Sequence, residues 1–395
     1  MRVPLLDLTR QHATCREAVL ARVLPLFESQ QFILGKAVED FEVAFSEMVG
    51  GGHSVGMSSG TDAQLAILMA LGIGPGDAVI TSPYTFFATA GCISRVGAEV
   101  VFVDVEESTL HLDPAKLEEF LSTRCTRNAE GHTFTPSGKR VRAILPVHLF
   151  GMCCRMDEIL DIARHYDLAV SEDAAQAVGT EYCAAGGRQK AGLLAESSWF
   201  SFFPTKNLGA AGDAGMAVCR DPAMAEHLRR LRNHGMEQRY YHSEVGGNFR
   251  LDAIQAAVLH AKLPLLPRWN AQRRFNASLY REGFAHHALG EFITPPPAPL
   301  GDLAESHTYH QYVIRAKNRD GLMAHLQASG IGCAIYYPVP LHLQACFAPL
   351  GYRVGDFPNA EKASAETLAL PIFPELRPDE IEEVVASIAA FYGGE

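Results

Sequence analysis

Arg142-Ala-Ile-Leu-Pro-Val-His148 is an apolar run of strand length. Met156-Asp-Glu-Ile-Leu-Asp-Ile-Ala-Arg-His-Tyr166 carries its apolar residues at helical spacing, and Leu168-Ala-Val-Ser-Glu-Asp173 is a second apolar run. Strand, helix, strand in that order is the unit of a parallel sheet, because a crossover is needed to bring the chain back to the same end. The alternation continues outward in both directions. Upstream, strands are expected at His53–Met57, Asp77–Ser82 and Glu99–Val103. Helices are expected at Val38–Val49, Thr61–Leu71, Phe86–Val96 and Asp113–Ser122, the last with Asp113 as cap and Pro114 in its first turn. Downstream, Ser197–Phe202 and Gly215–Cys219 read as two more strands. Short apolar strands between amphipathic helices give an α/β fold with a mixed, mostly parallel sheet sandwiched by helices.

Two segments break the rhythm. Residues 123–141 mix Gly, Pro, Ser and basic side chains and read as a surface loop or hairpin. Beyond Gly246 the pattern becomes two long helices, Leu251–Leu263 and Arg268–Phe284, then the stiff connector Ile293-Thr-Pro-Pro-Pro-Ala-Pro299. After it come a strand at His310–Ala316, a helix at Asp320–Ser329, a strand near Cys333–Tyr337 and helices at Pro358–Leu368 and Pro378–Phe391. This divides the 395 residues into a large domain, 1–250, with an N-terminal helical segment, and a smaller C-terminal α+β domain, 251–395, that includes the linking helices.

Composition narrows the class. Apolar residues make up 48% and charged residues 20%, enough for a sizeable core. A net charge of −11 argues against a nucleic-acid binder, which needs a basic surface. The nine cysteines form no C-x-x-C pair, so neither a structural zinc site nor a disulfide framework is expected, which points to a reducing, cytoplasmic setting. No run of 18 apolar residues marks a transmembrane span. Gly72-Ile-Gly-Pro-Gly76 follows a helix and precedes a strand, the wrong order for a dinucleotide loop.

Ligands of open parallel sheets bind at the carboxyl ends of the strands, and three constellations fall there. Met57-Ser-Ser-Gly-Thr-Asp-Ala63 turns from strand to helix, and the helix N-terminus offers free N–H groups to a phosphate. Taken alone it is equally an ordinary helix cap. It also reads Gly56-x-Ser58-x-Gly60, the nucleophile elbow of a serine hydrolase, with Asp173, His310 and His342 in the right chain order. Ser171-Glu-Asp-Ala-Ala-Gln176 puts Asp173 at a strand end, where a buried carboxylate needs a cation such as a protonated pyridine nitrogen; alone, Asp173 is more commonly a helix cap. Trp199-Phe-Ser-Phe-Phe-Pro-Thr-Lys206 places a lysine directly after an aromatic strand, where an apolar setting makes it a nucleophile toward aldehydes. A phosphate cradle, an acid and an imine-forming lysine are together the requirements of pyridoxal phosphate (PLP). Tyr84, Phe86 or Phe87 supplies a ring face, with two of the three expected in the core.

At these residues the chain resembles the DegT/DnrJ/EryC1/StrS family of sugar aminotransferases, of PLP-dependent transferase fold type I. The likeness extends through Phe32-Ile-Leu-Gly35, Arg232-Asn-His-Gly235, Gly247-Asn-Phe-Arg250 and Tyr337-Pro-Val-Pro-Leu-His342. The resemblance implies that Lys206 forms the Schiff base and shuttles the proton. It implies that Asp173 holds the pyridine nitrogen protonated, Gln176 bonds the phenolic oxygen, and Gly60, Thr61 and Ser201 bind the phosphate. Phe86 is the expected stacking ring. Asn248 would reach the phosphate of a neighbouring subunit, making a homodimer with shared sites. Lysine, rather than histidine, at position 206 favours transamination over dehydration. The implied reaction moves an amino group from L-glutamate to a nucleotide-linked 3- or 4-keto sugar, for amino sugars of a surface polysaccharide or a natural-product glycoside. The basic stretch around Arg229, Arg230, Arg232 and Arg239 reads as a solvated helix face; beside a pyrophosphate-bearing substrate, Arg232, Arg239 and Arg250 are expected to bind the diphosphate. Tyr336, His342 and His310 are candidates for the sugar. Two alternatives stay open: a serine hydrolase built on Ser58, and a regulatory protein on the PLP scaffold without turnover.

Overall fold

In the computed structural model, which describes residues 2–184, 186–299 and 303–393, the alternating runs form the large sheet. Its seven main strands are β1 (His53–Met57), β2 (Asp77–Thr81), β3 (Glu99–Phe102), β4 (Arg140–Leu145), β5 (Ala169–Asp173), β6 (Ser197–Ser201) and β7 (Gly215–Cys219), in spatial order β1-β7-β6-β5-β4-β2-β3. β7 is antiparallel to both neighbours and every other pair is parallel. All strands except β7 therefore run one way. The carboxyl ends of β1, β5 and β6 share an edge with the start of β7: Met57 and Ser201 each pair with Gly215, and Trp199 with Asp173. Segment 123–141 contains a hairpin, Thr126–Arg127 with Thr133–Phe134, that pairs onto β4.

The helices are α1 (Leu8–Ser29), α2 (Lys36–Val49), α3 (Gly60–Ala70), α4 (Phe87–Arg95), α5 (Pro114–Thr123), α6 (Met156–Tyr166), α7 (Pro222–Arg232), α8 (Ala253–Lys262) and α9 (Leu266–His286). α6 buries Met156, Ile159, Ala163 and Tyr166, one apolar stripe at steps of three and four, and keeps its charges outward. Asp113 caps α5 by accepting from the Ala115 and Lys116 N–H groups, as expected. α3 buries six consecutive residues from Ala63 to Leu68, because it is enclosed on more than one side.

A second core surrounds a small antiparallel sheet, β8 (Ile293–Thr294), β9 (Tyr312–Ala316) and β10 (Thr367–Leu370), with α10 (Arg319–Ala328), α11 (Pro358–Glu366) and α12 (Pro378–Gly393). Tyr280, Tyr312, Ile314, Leu326, Leu368 and Val384 fill it. Three readings change here. The proline-rich connector begins as β8 rather than as coil. The helix expected to reach Leu368 stops at Glu366, and Thr367–Leu370 crosses over as a buried strand paired with β9. Cys333–Tyr337 is not a strand; a single bridge joins Ala334 to Ala369. The residues that follow 250 divide between the two cores. Ala253, Ala256 and Leu259 of α8 pack with Phe41, Phe200 and Phe202 against the large sheet, whereas Tyr280 and Phe284 of α9 belong to the second core. The passage between cores lies inside α9. Val3 crosses back, bridging Ile331 and packing in the second core. Among the described residues no helix is long and apolar enough to cross a membrane.

Candidate active site

Asp173 ends β5, buried between neighbouring strands, and among the described residues its carboxylate meets no arginine. Oδ2 accepts from the Thr89 hydroxyl at 2.8 Å and Oδ1 from the Ala175 N–H at 3.2 Å. Burial pushes its carboxyl up; those two hydrogen bonds and the charge of Lys206 act the other way. The residue before it, Glu172, points to the opposite face of the strand. There its buried carboxylate accepts from His148 Nε2 (2.9 Å) and from the N–H groups of Gly192, Leu194 and Ala195 (2.7, 2.8 and 2.8 Å). His148 Nδ1 accepts from the Cys154 N–H at 3.2 Å, so its proton sits on Nε2, facing Glu172. The end of β5 is thus clamped from behind, while Asp173 keeps acceptor capacity on the site side.

Lys206 lies in the turn after β6, half-buried. Gly209 makes that turn possible, since a Cβ there would stand 2.2 Å from the Pro204 carbonyl oxygen. The next residue, Asn207, anchors the turn. It donates to Asn270 Oδ1 at 2.8 Å and accepts from His310 Nδ1 at 2.8 Å. Desolvation pushes the Lys206 ammonium down to about 8, against the opposing pull of Asp173. Burial, with the charges of Lys206 and Arg273, holds His310 well below its ordinary range and therefore neutral.

At the carboxyl end of β1, Ser59 caps α3: its hydroxyl accepts from Asp62 N at 3.0 Å, and its carbonyl from Ala63 N. Among the described residues this leaves the Gly60 and Thr61 N–H groups without a partner. A Cβ on Gly60 would stand 2.8 Å from Ser201 Cβ, so only glycine lets the helix start reach β6. The start of α3, with Thr61 in its first turn, thus lies against Ser201, and the N-terminus of a helix is where anions are favoured. Gln176 completes the edge. Its Oε1 accepts from Phe150 N at 2.7 Å and its Nε2 donates to Tyr337 Oη at 3.1 Å, which leaves one N–H free.

The family model of the DegT/DnrJ/EryC1/StrS aminotransferases matches residues 14–389. The chain belongs to that family. It is 42% identical, over 99% of both sequences, to a Geobacillus stearothermophilus protein named "Pleiotropic regulatory protein". It is 39% identical to a UDP-N-acetyl-3-dehydro-alpha-D-glucosamine 3-aminotransferase of Acidithiobacillus ferrooxidans, over 98% of this chain and 97% of that one. Among solved structures, DesV of S. venezuelae in complex with a ketimine intermediate superposes with a TM-score of 0.88 at 37% identity, covering 98% of this chain and 97% of that one. The fold type expected from sequence is the one observed, and the chain is an aminotransferase.

For this family member the structure brings Lys206, Asp173, Gln176, Gly60, Thr61 and Ser201 to one sheet edge. Of the three aromatic candidates only Tyr84 is core; Phe86 and Phe87 are 57% and 47% exposed. Phe86 stands 6.3 Å from the Tyr337 ring, whereas Phe87 leans on Phe347 at 5.6 Å. Asn248 is exposed on the segment that returns from the hairpin Met236–Gln238/Tyr241–His242.

The roles expected of Arg232 and His342, and the hydrolase built on Ser58, are corrected. Arg232 is 7% exposed and donates to Glu42 Oε1 at 2.6 Å and to the Gly56 carbonyl at 3.1 Å. It is a buried brace between α7, α2 and β1 and is not available to a diphosphate. Arg239 is exposed and stacks on Tyr240 at 5.1 Å, and Arg250 donates to Asn233 at 2.9 Å beside Met57. His342 is 1% exposed and pairs with Glu361 at 3.1 Å against the Phe357 ring, so it holds α11 rather than a sugar. Tyr336 is half-buried, its carbonyl accepting from Tyr84 Oη at 2.5 Å. The hydrolase triad does not assemble: Ser58 donates to Asp62 at 2.6 Å, Asp173 holds Thr89, and the two histidines are occupied by Asn207 and Glu361. Sequence reading missed Thr89, Tyr337 and Asn207. Tyr337 opens the Tyr337–His342 motif, but nothing in its spacing points to Gln176.

Proposed function

We propose that the chain is a PLP-dependent aminotransferase that moves the amino group of L-glutamate to C3 of a nucleotide-linked 3-keto sugar. The observation that carries this reading is Asp173, a buried carboxylate with no arginine partner among the described residues, near a half-buried lysine whose ammonium burial has weakened. A protonated ring nitrogen is the cation that such an acid lacks. The residues fit the cofactor along its length. Gly60, Thr61 and Ser201 would hold the phosphate, Asp173 the ring nitrogen, the free N–H of Gln176 the phenolic oxygen and Phe86 a ring face. When bound, PLP supplies an aldehyde and an electron-withdrawing ring through which an amino group passes between two substrates. Lys206 Nζ takes a proton from the donor carbon and returns one to the acceptor carbon, which a lysine with a depressed pKa does well near neutral pH.

Attack at C3 rests on the Acidithiobacillus relative, whose name places the amino group there. We further propose a cytoplasmic homodimer in which Asn248 of the partner subunit completes the phosphate site, with Arg239 and Arg250 toward the diphosphate and Tyr336 toward the sugar. The division between the large, cofactor-holding domain and the small one is placed within α9. The name of the Geobacillus relative favours a second reading, a regulator on the same scaffold. Incubation with PLP, L-glutamate and nucleotide-linked 3-keto or 4-keto hexoses, read by mass spectrometry, separates these. Amine appearing on the 3-keto sugar with release of 2-oxoglutarate supports the proposal. Conversion of the 4-keto sugar alone moves the site of attack, and no turnover with any acceptor favours the regulator.

A further inference from the structure

Behind Asp173 two buried hydroxyls stand in line. Thr89 Oγ1 donates to Asp173 Oδ2 at 2.8 Å, and Thr85 Oγ1 lies 3.2 Å from Thr89 Oγ1. Both threonines are buried. A hydroxyl has one proton. That of Thr89 is committed to the carboxylate, so Thr85 donates to Thr89, and both O–H bonds point toward Asp173. Such a relay strengthens a hydrogen bond to a charged acceptor and favours a carboxylate over the neutral acid. Thr89 is itself fixed in place. Gln64, buried in α3, donates from Nε2 to the Thr89 carbonyl at 2.7 Å. α3 is the helix whose first turn would hold the phosphate, so one side chain locks the acid's hydroxyl partner to that helix. The charged and titratable groups that act on Asp173 are Lys206 and His148, and the Tyr337 hydroxyl and the Cys92 and Cys154 thiols sense its charge in turn. His148 is turned to Glu172, which leaves Lys206, the Ala175 N–H and the Thr89 hydroxyl, backed by Thr85, to offset the charge.

We propose that Thr89, backed by Thr85 and anchored by Gln64, is a positioning residue: its hydroxyl keeps Asp173 anionic and in the orientation that pairs with the ring nitrogen of PLP. The inference rests on the PLP reading given above. Thr89→Val keeps the shape and removes the hydroxyl; Thr89→Ser keeps the hydroxyl. The test is the 15N chemical shift of PLP labelled at the ring nitrogen, bound to the whole protein, together with the Kd for PLP. Wild type and Thr89→Ser are expected to show a protonated nitrogen. Thr89→Val is expected to move the shift toward the unprotonated value and to weaken PLP binding by about tenfold or more, the loss that follows from removing a hydrogen bond to a charged group. Thr85→Val, which leaves the Thr89 proton in place, gives a smaller shift in the same direction and serves if Thr89→Val does not fold. An unmoved shift with wild-type affinity in the folded variant overturns the inference alone. A wild-type protein that binds no PLP overturns the cofactor reading and this inference with it.

Discussion

Gln176 donates to the hydroxyl of Tyr337, 161 residues further along the chain, at 3.1 Å. The bond joins the end of β5 to the segment held by Tyr84, whose hydroxyl accepts from Tyr337 N at 3.2 Å and donates to the Tyr336 carbonyl. With Phe150 N on its other end, the Gln176 amide has one orientation, in which its oxygen faces Phe150 and its nitrogen Tyr337.

Tyr337→Phe removes that hydroxyl while keeping the ring beside Phe86. The expected cost is about 1 kcal/mol of stability, the typical worth of one neutral hydrogen bond. PLP affinity falls with it, because the amide is freed to turn. Chemical denaturation of the unloaded protein and a PLP titration check the two effects separately; unchanged PLP binding would show that Tyr337 does not orient Gln176.

Arg232→Ala strands Glu42 in the interior with only the Gly56 N–H, at 2.7 Å, for a partner. Breaking a buried ion pair by removing one member costs about 3–5 kcal/mol. The denaturation midpoint should fall accordingly, while whatever protein remains folded keeps its KM for the sugar nucleotide. A raised KM at unchanged stability would return Arg232 to the substrate site.

The Lys206 ammonium, pushed down to about 8 from 10.5, sets a pH dependence with a definite sign. Between those values the unfolded lysine binds more protons than the folded one, so stability of the unloaded protein rises with pH across that window and the full penalty is present below it. Only the neutral amine attacks an aldehyde, so the rate of PLP capture should climb and level off above about 8. A rate still climbing toward pH 10.5, or a Lys206→Met variant whose stability shows the same rise from pH 8 to 10.5, would contradict the depressed value.

The convergence of the candidate residues is legible in the sequence because each sits where strand periodicity stops, and periodicity is local. Asp173 is the last residue of β5, and Gly60 and Lys206 lie in the turns that leave β1 and β6, so finding the strands found them. What was hidden depends on distant partners. Arg232 looked like surface because its helix is basic, and Glu42 lies 190 residues earlier. His342 looked like a ligand because Glu361 and Phe357 are not implied by its own motif. Thr367–Leu370 continued an alanine-rich helical pattern, and only pairing with β9 makes it a strand. Thr89 is one threonine in a helix until Asp173 is seen against it.

The shared-site dimer can be tested by mixing two inactive variants. Lys206→Ala removes the proposed nucleophile and Asn248→Ala the proposed contact to the partner's phosphate site. In a mixed dimer one of the two sites carries both lesions and the other neither, so activity should reappear on mixing and reach about a quarter of wild type if subunits exchange freely and each site works independently. No recovery after proven subunit exchange would place Asn248 in its own subunit's site.

The central claim is that Lys206 is the amine that carries the cofactor. Borohydride reduction of the PLP-loaded protein, followed by peptide mass spectrometry, tests it directly, because reduction turns the lysine–aldehyde imine into a stable secondary amine. The expected result is one phosphopyridoxyl group on the peptide containing Lys206, absent when excess L-glutamate precedes the reduction. A label on another lysine, or a Lys206 label that glutamate does not remove, would contradict the account.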